Sequence, residues 1–366
     1  MPVLKDADLR IFSLSLQQTR GLGAKTALAL LGQVGGIFEL YRLWKSGTGP
    51  AILSKVRLAA GKDLSDLLEQ RHVRFVAIWE DDYPRLLKQI ADPPFILFYV
   101  GDLEVFTSTP ALAVVGTRKC SAAALQWTEK LVSESVAAGV NIVSGMAMGI
   151  DAAAHKACVA AGGKTLAVLA SSPDMPTPAA NSALYQQILG NGGCIVSEFP
   201  PGTVVRPGMF ASRNRIVAGL SQGVLVVEAG AESGALITAN LALDYNREVF
   251  ALPGDIGRDV SFGCNKLIKD GKAKLVQGAV DILVELGVET VARAESYAPA
   301  KSASIDPEKL PNDQRDVFVT LSEGAGFPEE LAIKVDRSVN DILSCLAVME
   351  LSGIVRQLAD GKFAIA

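Results

Sequence analysis

An α/β fold, built on a doubly wound, mostly parallel, extended Rossmann-like sheet, is the expectation for the middle of this 366-residue chain, and three observations carry it. Short β-branched runs alternate with alanine-rich helical stretches, the signature of successive βα units. Several runs, such as Val224-Leu-Val-Val227 and Leu166-Ala-Val-Leu169, are apolar at every position, as strands covered by helices on both faces require. Glycine- or serine-rich corners follow the runs, where a parallel sheet turns from strand to helix.

Element by element, strands are expected at 111–116, 140–145, 164–170, 194–198, 223–229, 248–254 and 273–277, with helices such as 122–138 and 235–245 between them. Upstream, 73–79 and 95–100 also read as strands and extend the sheet at one edge, so the domain spans 72–290. Residues 1–71 are helical by pattern and form a small domain, with a glycine-rich break at Thr19-Arg-Gly-Leu-Gly-Ala-Lys-Thr26. Residues 291–307 lose periodicity and gather Ser, Ala, Pro and Lys, the composition of a linker. In 308–366, three helical periods precede two short strands flanking Ala-Asp-Gly, which predicts a winged-helix domain.

An apolar fraction of 49% with 20% charged residues excludes extensive disorder. No run is long enough to span a membrane and the first residues lack the order of a secretory signal, so the expectation is a cytoplasmic protein with no membrane span. The five cysteines are scattered and never form C-x-x-C, and two histidines cannot build a multi-histidine metal site. Net charge is −4, but its distribution is uneven, from +5 over residues 1–74 to −4 over 75–110. Any polyanion site must be a local patch or a set of backbone amides.

Five segments carry possible chemistry. Val115-Gly-Thr-Arg118 ends a strand and opens a helix, so its amides and the helix dipole make an anion-accepting corner; the alternative is a tight turn with a surface arginine. Ser144-Gly-Met-Ala-Met-Gly-Ile-Asp151 makes a second corner, and Asp151 with His155 lie one helical turn apart, either as acid–base machinery or as a structural pair. Phe210-Ala-Ser-Arg-Asn-Arg215, preceded by Arg206, combines a stacking aromatic with guanidinium forks that match phosphate oxygens. Its alternative is a loop whose arginines pair with Glu198 or Glu228. Ser233-Gly234 caps another helix, and Thr19–Thr26 has the Gly-hydrophobic-Gly turn of a helix-hairpin-helix, or of a plain linker. By contrast, Gly219-Leu-Ser-Gln-Gly223 has helix and strand in the wrong order for a nucleophile elbow. Gly162-Gly-Lys-Thr165 lacks the earlier glycine of a phosphate-binding loop.

Tyr83-Pro84, Val-Val-Gly-Thr-Arg118, Ser144-Gly-x-Ala-x-Gly-Ile-Asp151 with His155, Arg213-Asn-Arg215, Ser233-Gly-x-Leu-Ile-Thr238 and Leu252-Pro-Gly254 stand in the order found in the DNA-processing protein A (DprA, also called Smf) family. The sequence resembles that family over residues 75–290. The resemblance implies a protein that is not an enzyme and uses no cofactor or metal. It would bind single-stranded DNA as a homodimer, protect it and load RecA onto it in natural transformation, with a SAM- or helix-hairpin-helix-like front and a winged-helix tail. Carried over by position, the DNA site would involve Gly116, Thr117, Arg118, Ser144, Gly145, Arg206, Phe210, Arg213, Asn214, Arg215, Ser233 and Gly234, and the dimer interface Leu267 and Ile268 on helix 264–270. The sequence departs from the family after the third core strand, where it reads Ser172-Pro-Asp-Met-Pro-Thr-Pro178. The competing class is a Rossmann-like nucleotide hydrolase resembling phosphoribohydrolases, whose Pro-Gly-Gly-x-Gly-Thr is here Glu228-Ala-Gly-Ala-Glu-Ser-Gly234.

Overall fold

The structure, a computed structural model, describes residues 6–104, 106, 110–288, 307, 310–322, 324, 326–352, 354–357 and 361–365. The chain divides into two compact units, Met1–Val291 and Ala292–Ala366. All but residue 307 of the expected linker 291–307 lies outside the described residues.

The first unit is organised by a sheet that has nine strands among the described residues: β1 (Arg74–Ala77), β2 (Ile96–Gly101), β3 (Ala111–Val115), β4 (Asn141–Ser144), β5 (Thr165–Val168), β6 (Cys194–Ser197), β7 (Gly223–Val226), β8 (Glu248–Ala251) and β9 (Lys274–Leu275). Their order is β1-β2-β6-β5-β4-β3-β7-β8-β9. The seven strands from β6 to β9 are mutually parallel. On the far edge β2 runs antiparallel to β6, and β1 antiparallel to β2. The sequence expectation of a mostly parallel sheet extended at one edge thus matches the strands observed.

Residues along β3 alternate between two cores, as the two-residue period of a strand dictates. Ala111, Ala113 and Val115 face one cluster, which also takes Ile216, Val217, Ala235 and Ala239 from the helices Pro207–Gly219 and Gly234–Asp244. Leu112 and Val114 face the other, completed by Leu131 of Ala122–Ala137, Ala154 of Ile150–Ala160 and Ile282 of Ala279–Glu285. Every residue of β3 through β7 is buried. At the opposite margin from β1, β9 has only two residues, both exposed, and Lys274 is held by Glu248 and Glu285 at 2.8 and 2.5 Å.

Residues before β1 form the helices Asp6–Gln17, Ala24–Val34, Ile37–Ser46 and Leu58–Gln70, with a 3-10 turn at Ala51–Lys55. Phe12 packs edge-on to Tyr41 at 5.2 Å and against Trp44 at 5.3 Å, centroid to centroid. Arg10 ties this layer to the sheet: its guanidinium pairs with Glu80, donates to the Phe75 carbonyl at 3.0 Å and lies 4.2 Å from the Phe75 ring centroid. Asp6–Gln17 and Leu58–Gln70 cross at Gly61, where a Cβ would meet Ser15 and the Ile11 carbonyl.

The second unit has the helices Asn312–Ser322, Pro328–Val335 and Val339–Leu351 and an antiparallel pair, Val355–Gln357 with Phe363–Ile365. Val317, Leu331, Ile342, Leu346 and Phe363 form its own core. Residues 358–360, which hold the Ala-Asp of the expected turn, lie outside the described residues.

Gly61→Ala should destabilise the front helices by about 1–3 kcal/mol, the range for overpacking a well-filled contact. Hydrogen exchange in Asp6–Gln17 should accelerate while that of β3 to β7 stays unchanged; equal acceleration in both would contradict a local crossing.

Candidate functional site

The connections from β3 through β6 step outward in one direction, after which the chain returns to place β7 on the other side of β3. Open α/β sheets leave a crevice at such a reversal, outside the carboxyl ends of the strands. Here that crevice is a cleft of about 850 Å³.

Its first wall is the corner after β3. Thr117 donates its backbone N–H to the Glu228 carbonyl at 2.7 Å, and its own carbonyl accepts from Ile150 N at 3.3 Å. A Cβ at Gly116 would collide with Ile150 and the Glu228 carbonyl, which explains a glycine where two strand ends and a helix converge. Arg118 is exposed, makes no ion pair among the described residues, and holds its guanidinium carbon 5.8 Å from the Phe210 ring centroid.

The second corner, after β4, is fixed from beneath. Ser144 is buried and donates its hydroxyl to Val114 O at 2.6 Å, so it supports the cleft without lining it. Arg213, only 5% exposed, donates through Nη1 to the carbonyls of Gly145 and Val168. Gly145 is required there, since a Cβ would overlap the guanidinium. The backbone then turns through Met146 and Gly149 at φ of 59° and 83° to deliver Asp151, which lines the cleft floor and accepts from Ala147 N at 3.4 Å.

The third wall comes from Pro207–Gly219 and Gly234–Asp244. Phe210 and Asn214 face the cleft, with Asn214 Nδ2 3.5 Å from Gly234 O, and Ser233 caps the second helix by accepting from Ala235 N at 3.4 Å. Of the residues singled out in the sequence, the fold gathers Gly116, Thr117, Arg118, Gly145, Phe210, Arg213, Asn214, Ser233 and Gly234 around one space. Arg206 is exposed at the N-cap of Pro207–Gly219 and does not line that space.

The two arginines of Arg213-Asn-Arg215 are not the solvent-facing fork that the motif suggested. Arg213 is buried for the reason just given. Arg215 is 11% exposed and paired with Glu198 at 2.6 Å and Asp92 at 3.4 Å, outside the cleft. The Glu198 half of the alternative reading is therefore what the side chain does; Glu228 instead accepts from the amide and hydroxyl of Ser121, both at 2.8 Å. Periodicity carried a signal for Arg213, because it shares a helical face with buried Ile216, Val217 and Leu220. Leu267, expected at a dimer interface, is buried in the chain's own core, and Ile268 packs partly against it.

Sequence reasoning left Ile237 and Thr238 of its own Ser233–Thr238 motif out of the site and missed Asp259, Val260 and Phe262, all of which line the cleft together with Glu232. The first two lie one turn into the helix that Ser233 caps, a spacing that could have found them; residues 259–262 reach the cleft only through tertiary packing. The lining thus carries Arg118 as its exposed cation against Glu232 and Asp259, with aromatic and aliphatic side chains between.

Asp151 and His155 do not work as a pair. Burial, opposed by the charge of Arg213, pushes the Asp151 carboxyl up. His155 sits in the core with Nδ1 2.7 Å from Thr165 Oγ1, and burial followed by the Arg213 charge drives it down to about 3. Tyr83, of the Tyr83-Pro84 motif, is likewise internal and donates its hydroxyl to Pro94 O at 2.7 Å. Among the described residues no group of three or more His, Cys, Asp or Glu side chains could hold a metal ion, and no helix is long and apolar enough to cross a membrane.

Two outcomes follow from these placements. Because folded His155 stays neutral while the unfolded residue protonates below its ordinary value, its contribution to stability is present above about pH 6.5 and declines towards about pH 3, with a limiting slope of about 1.4 kcal/mol per pH unit. Urea unfolding of the wild type and His155→Gln across that window should show a steeper acid loss in the wild type; parallel curves would contradict a neutral buried imidazole. Arg213→Met should cost about 2 kcal/mol or more in the same assay, since it leaves the buried carbonyls of Gly145 and Val168 without their donor. Full stability would mean that the guanidinium does not hold the floor.

Residues 74–287 match the family model described as DNA recombination-mediator protein A. The chain is 42% identical over 222 residues to a Synechocystis protein named Smf, a match covering 60% of this chain and 55%, or about half, of the relative's length. The structure is similar to that of DNA processing protein A from Streptococcus pneumoniae, with a TM-score of 0.63 and 34% identity over 79% of this chain and all of that one. It is also similar to a DNA processing protein A from Helicobacter pylori, described for its single-stranded DNA binding mode, with a TM-score of 0.53 and 30% identity over 59% of this chain and 97% of that one. With residues 74–287, more than half its length, matched by that family model, the chain belongs to the DNA recombination-mediator protein A family.

Proposed function

We propose that the cleft at the β3–β7 reversal binds single-stranded DNA, with a phosphate on Arg118 and the Gly116-Thr117 corner and a base stacked on Phe210. The observation that carries this reading is the Arg118–Phe210 pair, a cation without a carboxylate partner among the described residues lying 5.8 Å from an aromatic ring at the mouth of an 850 Å³ cleft. Stacking on an aromatic face suits unpaired bases, since every base offers a π-face and a duplex does not expose it. The helix N-terminus at Ser233-Gly234 supplies further donors on the opposite wall. Arg206, exposed at the next helix start, would meet the strand as it leaves. Arg213 and Ser144 shape the site from below, and Arg215 acts through the fold.

In this reading the protein is a mediator and not a catalyst: it shelters single-stranded DNA in the cytoplasm and passes it to RecA during transformation, as a homodimer. The nucleotide-hydrolase alternative is not favoured, because the segment after β7 reads Glu228-Ala-Gly-Ala-Glu-Ser-Gly234 in place of the Pro-Gly-Gly-x-Gly-Thr of phosphoribohydrolases. Residues 1–71 are assigned as a SAM- or helix-hairpin-helix-like domain, supported by Gly21 at φ 88° beside buried Leu22. Residues 72–290 form the DNA-binding domain and 308–366 a winged helix. The exposed face of Val339–Leu351 carries Asp341, Leu343, Val348 and Glu350, which supports a protein-facing role for that helix.

Fluorescence anisotropy with a labelled single strand at graded salt tests the site. Arg118→Ala should weaken binding and make the slope of log K against log salt shallower by about 0.7, the value for one phosphate that is no longer neutralised. Phe210→Ala should cost about 1–3 kcal/mol with the salt slope unchanged. Wild-type affinity and slope in the Arg118→Ala protein would reject the site.

A further inference from the structure

A second cleft opens at the carboxyl edge of the sheet on its other face, beyond the ends of β7 and β8, with a volume of about 420 Å³. Its outer wall is Trp127, on the first turns of the helix that Ser121 caps. Trp127 is 40% exposed. Ala123 and Ala124, which also line the cleft, are too small to cover the indole. Lys130 Nζ lies 5.2 Å from the Trp127 ring centroid, so one side of the indole already meets a cation, and the ring is otherwise a large aromatic bordering an open cleft.

The rest of the cleft suits one planar heterocycle. Apolar side chains, Pro253 among them, make most of the lining, and the polar residues are Ser121, Glu228, Asp255, Arg258, Ser261 and Gln277. Glu228 already accepts from Ser121 N and Oγ, yet a carboxylate has further acceptor sites for the exocyclic amine or ring N–H of a base. Arg258 is half exposed, with Nη1 3.9 Å from Asp255, a separation that leaves most of its donors for a phosphate. The loop carrying these residues is pinned, because Asn265 accepts from Gly254 N at 3.1 Å and donates to Gly254 O at 2.8 Å. A mainly apolar slot with a few convergent polar groups is what a small-ligand site requires.

We propose that this second cleft binds a nucleotide unit, its base stacked on Trp127 and its phosphate on Arg258. Two sources offer that chemistry: a base of the strand held in the first cleft, or a free nucleotide. The strand-borne form rests on the function proposed above; the free form does not.

Trp127 is its own reporter, as the most exposed of the three tryptophans in the chain. The experiment follows tryptophan emission of the wild type and Trp127→Phe while single-stranded oligonucleotides of graded length, and separately deoxynucleoside monophosphates, are added; anisotropy of labelled oligonucleotides runs in parallel. Quenching that is lost in Trp127→Phe is expected. If only the longer oligonucleotides quench, the strand is the source, and Trp127→Ala and Arg258→Gln should each weaken those oligonucleotides about tenfold without affecting the shortest that bind. If monophosphates alone quench, the free nucleotide is the source. Absence of Trp127-dependent quenching by either, with oligonucleotide binding intact, overturns the second cleft and leaves the first untouched. Absence of oligonucleotide binding with monophosphate quenching retained rejects the first cleft and supports the second.

Discussion

Neighbouring parallel strands whose connections leave in opposite directions cannot be roofed by a common helix, and in this molecule that constraint falls between β3 and β7. What remains to be satisfied there is a set of strand-end amides and carbonyls that a helix would otherwise have covered. Thr117 and Glu228 close part of the gap by bonding across it, and Gly116 is the residue that lets them approach. The remainder stays open as the cleft. The site is thus a product of the winding of the sheet, and the side chains around it refine a crevice that the topology makes unavoidable.

Arg213 illustrates how such a crevice is kept from collapsing. A guanidinium moved out of water must recover its hydrogen bonds inside the protein, and here it does so on two carbonyls at the ends of neighbouring parallel strands, β4 and β5. Burial shifts both Arg213 and Asp151 towards their neutral forms, while the charge of each favours the ionised form of the other. Arg213, through its two carbonyl partners, works as a brace beneath the floor, leaving Arg118 as the lining cation that meets solvent. An acidic chain can carry a site for a polyanion in this way, because the deciding charge and amides are local.

The nine strands and the glycine corners were legible in the sequence because each rests on short-range pattern: apolar runs, helix caps and the places where no side chain fits. The three helices and paired strands of the second unit were legible on the same grounds. Residue roles in Phe210-Ala-Ser-Arg-Asn-Arg215 were not, since a motif gives composition without direction. Arg215 is claimed by Asp92, far away in sequence, and only tertiary packing brings that carboxylate within 3.4 Å. Asp259, Val260 and Phe262 escaped notice for the same reason, as they follow β8 in the chain and meet the cleft wall only in the folded protein. Leu267, placed at a dimer interface by the family resemblance alone, is buried in the core of its own chain, a placement that depends on packing and not on local pattern.

The two margins of the sheet are unequal. On one side β2 and β1 reverse direction and the front helices lean on them through Arg10; on the other, β9 ends the sheet after two residues with a lysine locked between two glutamates. A ladder that short, bearing a committed charge, offers no template on which a neighbouring strand could grow. Copies of this molecule that meet at that margin must therefore associate through side-chain surfaces, which can part again, and are barred there from the backbone-to-backbone stitching that leads to fibres.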